Sequence, residues 1–152
     1  MVEVKKISVA IGADHHGFAL KEWLKQSFTC AGYEIQWHDC GSYDSARSDY
    51  PKFAELVSKE ILNQTAVCGI LLCATGVGMS IVANRFSGIR AGLAWVPEVA
   101  QRAKEEDAAN LLVIPTDFVT VYIANQIICA WLQAQFKEGV YAQRLILIDK
   151  IT

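Results

Sequence analysis

No two of the five cysteines, Cys30, Cys40, Cys68, Cys73 and Cys129, are spaced as a CxxC pair or as zinc ligands. An odd, scattered set suits reduced thiols and a cytoplasmic protein rather than a disulfide framework. There is no clustered basic patch either: 14 Lys and Arg stand against 16 Asp and Glu, for a net charge of −2. Binding a phosphate backbone needs such a patch, so no nucleic-acid partner is expected. Lys5 and Lys6 precede an apolar stretch, but Asp14 and His15 interrupt it before a secretory core could form. The uncharged run Ala66 to Ala83 is broken by glycines, Thr75 and Ser80, which fits a strand, loop and helix better than a membrane span. No linker, repeat or low-complexity segment divides the chain, so its 152 residues, 53% of them hydrophobic, are expected to form one domain with a substantial core.

What is present is organised around Gly69-Ile70-Leu71-Leu72-Cys73-Ala74-Thr75-Gly76-Val77-Gly78-Met79-Ser80. A short apolar run without alternation reads as a strand covered on both faces. Gly76 and Gly78 permit a tight turn with bare amides, and Met79 to Phe86 has the spacing of a helix start. Cys73 therefore falls at the carboxyl end of a strand, facing the amino end of a helix, where open α/β sheets bind ligands. The positive helix end and loop amides favour anions, a thiolate among them. Cys73 is a candidate base or nucleophile, against the plain alternative of a small buried hydrophobe.

Around this centre the chain alternates strands and helices. Ile7 to Ala13 is a strand ending in Asp14-His15-His16-Gly17, and the next segment places Leu20, Trp23, Leu24, Phe28 and Ala31 on one helical face, stopped by Gly32. Tyr33, Ile35 and Trp37 alternate with polar residues as in a half-covered edge strand. After a polar loop at 41–48, Asp49 can cap and Pro51 open a helix with Phe53, Leu56, Val57 and Ile61 inward. Ile89 to Ala94 and Leu111 to Ile114 read as the fourth and fifth strands, with a helix from Pro97 to about Asp107 between them. Thr120 to Phe136 is apolar on too many faces for one stripe, and Val140 to Asp149 is rich in Leu and Ile. Both features argue for a homo-oligomer, with the segment from about 139 to 152 packing on a partner subunit or on the body of the chain. The pattern specifies an α/β fold: a single three-layer, Rossmann-like domain over residues 1–152 with a five-stranded parallel sheet.

The glycine loop is not a Walker A motif, and Ile81 stands where a GxGxxG motif needs its third glycine. A small anionic group or an oxyanion suits it better than a nucleotide. Asp14 and His15 end the first strand beside the central one, so they are candidate ligands for sugar hydroxyls, although Asp14 can equally cap the following helix. Glu105, Glu106 and Asp107 end a helix and lead into the fifth strand from the active edge; a solvated charge run is the plain reading, a working acid the sharper one. Arg144 is a surface residue or an anion anchor.

With Gly12-Ala13-Asp14-His15, Asp49-Tyr50-Pro51, Gly69 to Ser80, Ala83-Asn84-Arg85-Phe86, Gly88-Ile89-Arg90-Ala91 and Ala109-Asn110, the chain resembles the type B ribose-5-phosphate isomerases and the related allose and galactose 6-phosphate isomerases. The resemblance implies aldose–ketose isomerisation through an enediolate, with no metal and no cofactor, by dimers or dimers of dimers whose sites combine residues from both chains. It implies Cys73 as the base at C2, Thr75 as a proton carrier, and the amides of Ala74, Gly76, Val77 and Gly78 as enediolate donors. Asp14 and His15 would bind the sugar and Arg144 the phosphate. Three sites depart from the pattern. Glu106-Asp107 stands where His-Asn is common, Asp117 where a phosphate-binding Arg is usual, and Val140 where a second such Arg is found. Glu106 can replace the ring-opening His as an acid only if burial raises its pKa. Alternatives implied are a different or unphosphorylated sugar, a subunit whose partner supplies the His, or a sugar-binding paralogue without turnover.

Overall fold

The computed structural model describes residues 2–151. Its element order is β1 (Lys5–Ala13), α1 (Phe18–Ser27), β2 (Tyr33–Asp39), α2 (Tyr50–Leu62), β3 (Cys68–Cys73), α3 (Val77–Ala83), β4 (Ala91–Leu93), α4 (Pro97–Asp107), β5 (Leu111–Pro115), α5 (Val121–Gln133) and α6 (Val140–Asp149). The five strands are parallel and lie in the order β2-β1-β3-β5-β4, with helices on both faces. The sequence-based expectation of a three-layer α/β sheet is met.

The apolar residues explain that arrangement. β3 is central and all six of its residues are buried, which is what an unbroken apolar run requires. On one face, Ile70 and Leu72 pack with Leu20 and Leu24 of α1, Ala100 of α4, and Ile127, Ile128 and Trp131 of α5. On the other, Leu71 and Cys73 pack with Phe53 and Val57 of α2 and Met79 and Ala83 of α3. Cys73 therefore looks toward α2 and α3.

Several local expectations shift. α1 stops at Ser27, and Phe28 is already extended, at φ −61° and ψ 132°. The next residues leave the helix to bond α5: Thr29 N donates to Asn125 Oδ1 at 3.1 Å. Phe28 packs edge-on against Trp37 from outside the helix. On α2 the buried residues are Phe53, Ala54, Val57 and Ser58, with Ile61 packed against the same cluster as expected, whereas Leu56 is 47% exposed because the stripe widens toward Ala54 and Ser58 rather than toward it. α3 begins two residues before Met79, at Val77, and β4 keeps only Ala91–Leu93 of the expected Ile89 to Ala94.

The carboxyl end of β2 is held by a compact ion cluster. Lys21 of α1 has no exposed surface and places its ammonium 2.9 and 2.7 Å from the two Asp39 oxygens and 2.8 Å from Glu22. Lys25 also reaches Asp39, at 2.6 Å, and Glu22, at 3.2 Å. Asp39 Oδ1 in turn accepts from Gly41 N at 2.9 Å, which fixes the turn leading to the 41–48 loop.

Removing the Asp39 carboxylate leaves a buried ammonium with one partner. Asp39→Ala is expected to lower the unfolding free energy by about 2–4 kcal/mol at about pH 7, read from urea denaturation. Burial pushes the Asp39 carboxyl up, but the Lys21 and Lys25 ammoniums outweigh it and hold it below its ordinary range. Its contribution is thus present above the unfolded value of about 4 and lost as pH falls through the lower folded value, so the gap between wild type and variant closes in acid.

Candidate active site

The parallel register brings three strand ends to one edge of the sheet. Ala13 lies opposite Leu72, and Cys73 opposite Pro115, so Asp14, Cys73 and the turn after β5 emerge side by side. The β3 and β5 turns are tied directly: Asp117 N donates to the Ala74 carbonyl at 3.1 Å. Gly17, where α1 begins, passes so close to β3 that a Cβ there would sit 2.4 Å from the Leu72 carbonyl oxygen.

Gly76 makes the turn at Cys73. Its φ of 75° is left-handed, and a Cβ on it would lie 2.4 Å from Leu93 Cδ1. Ser80 closes the turn, with both its hydroxyl, at 2.8 Å, and its amide, at 3.0 Å, on the Gly76 carbonyl. The amides of Met79 and Gly76 are directed at the Cys73 sulfur. Met79 is the third residue of α3, so its N–H is one of the donors that a helix start leaves without an internal acceptor. Thr75 is exposed, and its Oγ1 accepts from Val77 N at 3.3 Å. Gly78 is covered by the Tyr50 ring: a Cβ there would meet Tyr50 atoms at 2.5–2.8 Å.

The thiol's electrostatics differ from the expectation of a stabilised thiolate. Cys73 is 5% exposed, and burial pushes its thiol above the ordinary 9.0; the Met79 and Gly76 amides pull it down, while the Asp14 and Asp117 carboxylates push it further up. Burial wins because the sulfur packs in the α2–α3 core rather than standing free in front of a helix end.

Asp14 is buried, and its Oδ1 accepts from His16 N at 2.9 Å and Gly17 N at 3.2 Å, closing the turn into α1. Asp14 closes the turn rather than capping the helix, because the N-cap of α1 is Gly17 and both amides that Asp14 accepts from lie before the first helical residue. His15 accepts from Ser48 N at 3.2 Å through Nδ1, which leaves Nε2 to carry the proton of a neutral ring. The 41–48 loop thus packs on the end of β1: Ala13 N donates to the Gly41 carbonyl and Ser42 N to the Ala13 carbonyl, both at 2.7 Å. The Ser42 and Ser48 hydroxyl oxygens are buried without a partner.

Glu106, Asp107 and Arg144 are elsewhere. Glu106 and Asp107 end α4 and precede β5, so they lie at the amino edge of the sheet, whereas Cys73 lies at the carboxyl edge. The strand length between the Leu111 and Pro115 registers is roughly 13 Å. Glu106 pairs with Arg102 one turn back, at 3.1 Å, and Asp107 borders a cavity with Arg90 and Ile148. Arg144 sits on α6 over the Tyr141 ring, 5.5 Å from its centroid. Within one chain these three residues do not join Cys73, Asp14, His15, Ala74, Thr75, Gly76, Val77 and Gly78.

Sequence reasoning assigned no role to Met79, Tyr50, Ser42 or Ser48. Met79 was recoverable as the third residue after a glycine helix start, and Tyr50 from the Asp49-Tyr50-Pro51 motif; nothing in the polar loop marked the two serines. A depression of about 570 Å³ lined by Lys6, Ser8, Glu34 and Gln36 holds no cysteine or histidine and lies at the other end of β1. Among the described residues no cluster of three or more metal-ligating side chains occurs, and no helix is long and apolar enough to cross a membrane.

The model of the Ribose/Galactose Isomerase family matches residues 9–148. The chain belongs to that family. It is 38% identical over 143 residues to ribose-5-phosphate isomerase B of Escherichia coli, covering 94% of this chain and 95% of that one. It is 35% identical over 135 residues to a D-erythrulose-4-phosphate isomerase of Pectobacterium atrosepticum, covering 88% and 87%. Its structure resembles a ribose 5-phosphate isomerase of Thermotoga maritima, with a TM-score of 0.88, 39% identity, and 95% and 99% of the two chains covered. It likewise resembles ribose-5-phosphate isomerase B of Mycoplasma genitalium with bound ribulose-5-phosphate, with a TM-score of 0.84, 32% identity and 97% of each chain covered. Within the family's fold, this chain's carboxyl edge carries Cys73, Asp14 and His15 together.

Gly76→Ala is expected to destabilise the protein by about 1–3 kcal/mol through backbone strain alone. Adding Leu93→Ala, which removes the opposing atom, should restore none of that share; full recovery in a denaturation series would show that only the clash mattered.

Proposed function

We propose that the protein interconverts an aldose phosphate and its ketose isomer, ribose 5-phosphate and ribulose 5-phosphate, through an enediolate. The observation that carries this reading is the Cys73 sulfur at the end of β3, under the amides of Gly76 and Met79 and beside Asp14. Family membership supports the reaction class, and the names of two relatives support pentose and tetrose phosphates as substrates.

The roles follow from what each group can donate or accept. The Cys73 thiolate takes the proton from C2 of the open-chain aldose, and the electron pair moves to make the enediolate, with negative charge on the C1 oxygen. Donors already fixed in place stabilise such charge without reorganising. The loop from Ala74 to Gly78 supplies these donors; the Gly78 amide, in the first turn of α3, has no acceptor inside the helix. The exposed Thr75 hydroxyl carries the proton between the two substrate oxygens. Cys73 then returns its proton to C1. The free Asp14 oxygen, the His15 Nε2–H and the unpartnered Ser42 and Ser48 hydroxyls are suited to the remaining sugar hydroxyls.

Glu106, Asp107 and Arg144 reach such a site only from a second copy of the chain, which favours a homodimer or a dimer of dimers. Exposed apolar residues on α3 and α6 support that assembly: Val77 and Ile81 on the first, Ile146, Leu147 and Ile148 on the second. The described part of the carboxyl-terminal segment, 139–151, is then a partner-facing one. Five unpaired cysteines fit a cytoplasmic setting.

One observation favours a second reading, in which the substrate is an unphosphorylated sugar. Asp14 and Asp117 both press on the Cys73 thiol with negative charge, an unfavourable surrounding for a dianionic phosphate. A turnover panel of phosphorylated and free aldoses separates the two: a strict preference for ribose 5-phosphate removes the second.

Cys73→Ala is expected to abolish isomerisation while leaving the circular dichroism and unfolding midpoint near those of wild type; turnover equal to wild type would remove the base assignment. Because the thiol is pushed up from 9.0, kcat/KM should keep rising with pH through 9. Asp117→Asn removes one of the charges pushing it up, so the rising limb should move to lower pH in that variant.

A further inference from the structure

The 41–48 loop is tied to the end of β1 at both of its ends. Where it begins, Asp39 Oδ1 accepts from Gly41 N at 2.9 Å and the Asp39 carbonyl accepts from the Tyr43 hydroxyl at 3.0 Å. There too, Ala13 N donates to the Gly41 carbonyl and Ser42 N to the Ala13 carbonyl, both at 2.7 Å. Where it ends, Ser48 N donates to His15 Nδ1 at 3.2 Å. His15 stands two residues beyond Ala13, so both ties close on one short piece of chain.

Asp39 is itself held by Lys21. The fully buried Lys21 ammonium lies 2.9 and 2.7 Å from the two carboxylate oxygens and 5.8 Å from the centre of the Tyr43 ring. Lys21 is in the first turn of α1, the helix that starts just after His15, and its own amide donates to the Gly17 carbonyl at 2.9 Å. The ion pair thus joins the chain on the far side of His15 to the strand that launches the loop. A buried ammonium is costly, and apolar side chains of similar volume would join α1 to β2 as firmly. Such side chains would offer no acceptor to Gly41 N.

We propose that Lys21 and Asp39 are positioning residues for His15. They hold the start of the loop on β1, which keeps the Ser48 amide on Nδ1 and so fixes the ring as the tautomer with its proton on Nε2. That leaves Nε2–H as a donor aimed by the loop, suited to an oxygen lone pair of a bound molecule. The consequence for substrate binding rests on the reading above that His15 meets the sugar; the state of the ring does not.

The test reads the ring directly, by long-range proton–nitrogen correlation of the labelled full-length protein at about pH 8, where an ordinary imidazole is neutral. The chain has three histidines, and substituting His16 and His38 in turn assigns the signals. The wild type should show His15 as a single form with the proton on Nε2. Lys21→Met combined with Asp39→Leu removes the pair without stranding a buried charge and leaves Lys25 with Glu22. In it His15 should become a mixture of both tautomers. KM should rise by about threefold to tenfold, the share of one oriented hydrogen bond. Because that bond is made equally before and during the reaction, kcat should change by less than about twofold. Lys21→Met combined with Asp39→Asn returns an acceptor to Gly41 N and should restore both the spectrum and KM. Asp39→Ala, which also removes that acceptor, replaces the leucine variant should the latter not fold. A wild-type ring protonated on Nδ1, an unchanged His15 spectrum in the folded variant without the acceptor, or no recovery with asparagine would overturn the proposal. A changed spectrum at unchanged KM would uphold the positioning and sink instead the placing of His15 at the sugar, so the two readings fail separately.

Discussion

A left-handed turn wedged between neighbouring strands is the constraint on which the candidate site depends. At Gly76 the backbone must reverse within the space left by Leu93 of β4 and Val113 of β5, which a side chain would fill. Only that reversal turns the Gly76 and Met79 amides back toward the sulfur at the end of β3. A longer loop would leave Cys73 as a buried thiol with nothing aimed at it. The neighbouring contacts, Ser80 on the Gly76 carbonyl and Asp117 on the Ala74 carbonyl, keep the turn in this one shape.

The thiol sits in a balance of opposed effects rather than in a uniformly favourable field. Its place among Leu71, Phe53 and Met79 withdraws it from water and disfavours charge. Two amides favour charge, and two carboxylates oppose it. Only the ionised fraction of the thiol can take a proton, so the raised value limits how much of the protein is ready; once a proton is taken, the site needs donors where charge appears on the bound sugar. The amides of a fixed turn satisfy that requirement. The carboxylates bear on a different question, the sign of charge that a bound molecule can carry near this edge.

The fold was legible because its signals are periodic and redundant: an unbroken apolar run for β3, alternation in β2, and a glycine pair after Cys73. The misplacements have local causes. Leu56 looked inward because apolar spacing alone cannot choose between two adjacent rows on a helix. Phe28 looked helical because the hydrogen bonds that pull Thr29 onto α5 come from a residue 96 positions away. Glu106 and Asp107 do lead into the fifth strand, but not from the active edge as the sequence reading had it: a helix that precedes a parallel strand delivers its end to the amino edge, away from Cys73. The site's polar wall was the least legible part. Ser42 and Ser48 come from a loop without periodicity, and their positions follow from tertiary contacts such as Ser48 with His15.

The burial of β3 has a consequence for motion. With β1 and β5 on either side and helices above and below, its amide hydrogens exchange with solvent chiefly through global unfolding. The turn that follows is different, since Thr75 and Val77 are open to water and α3 is only seven residues long. Hydrogen exchange would therefore divide the site into a slow mount and a faster cradle: the sulfur keeps its position on the timescale of the whole domain, while the donors above it can breathe as ligands come and go.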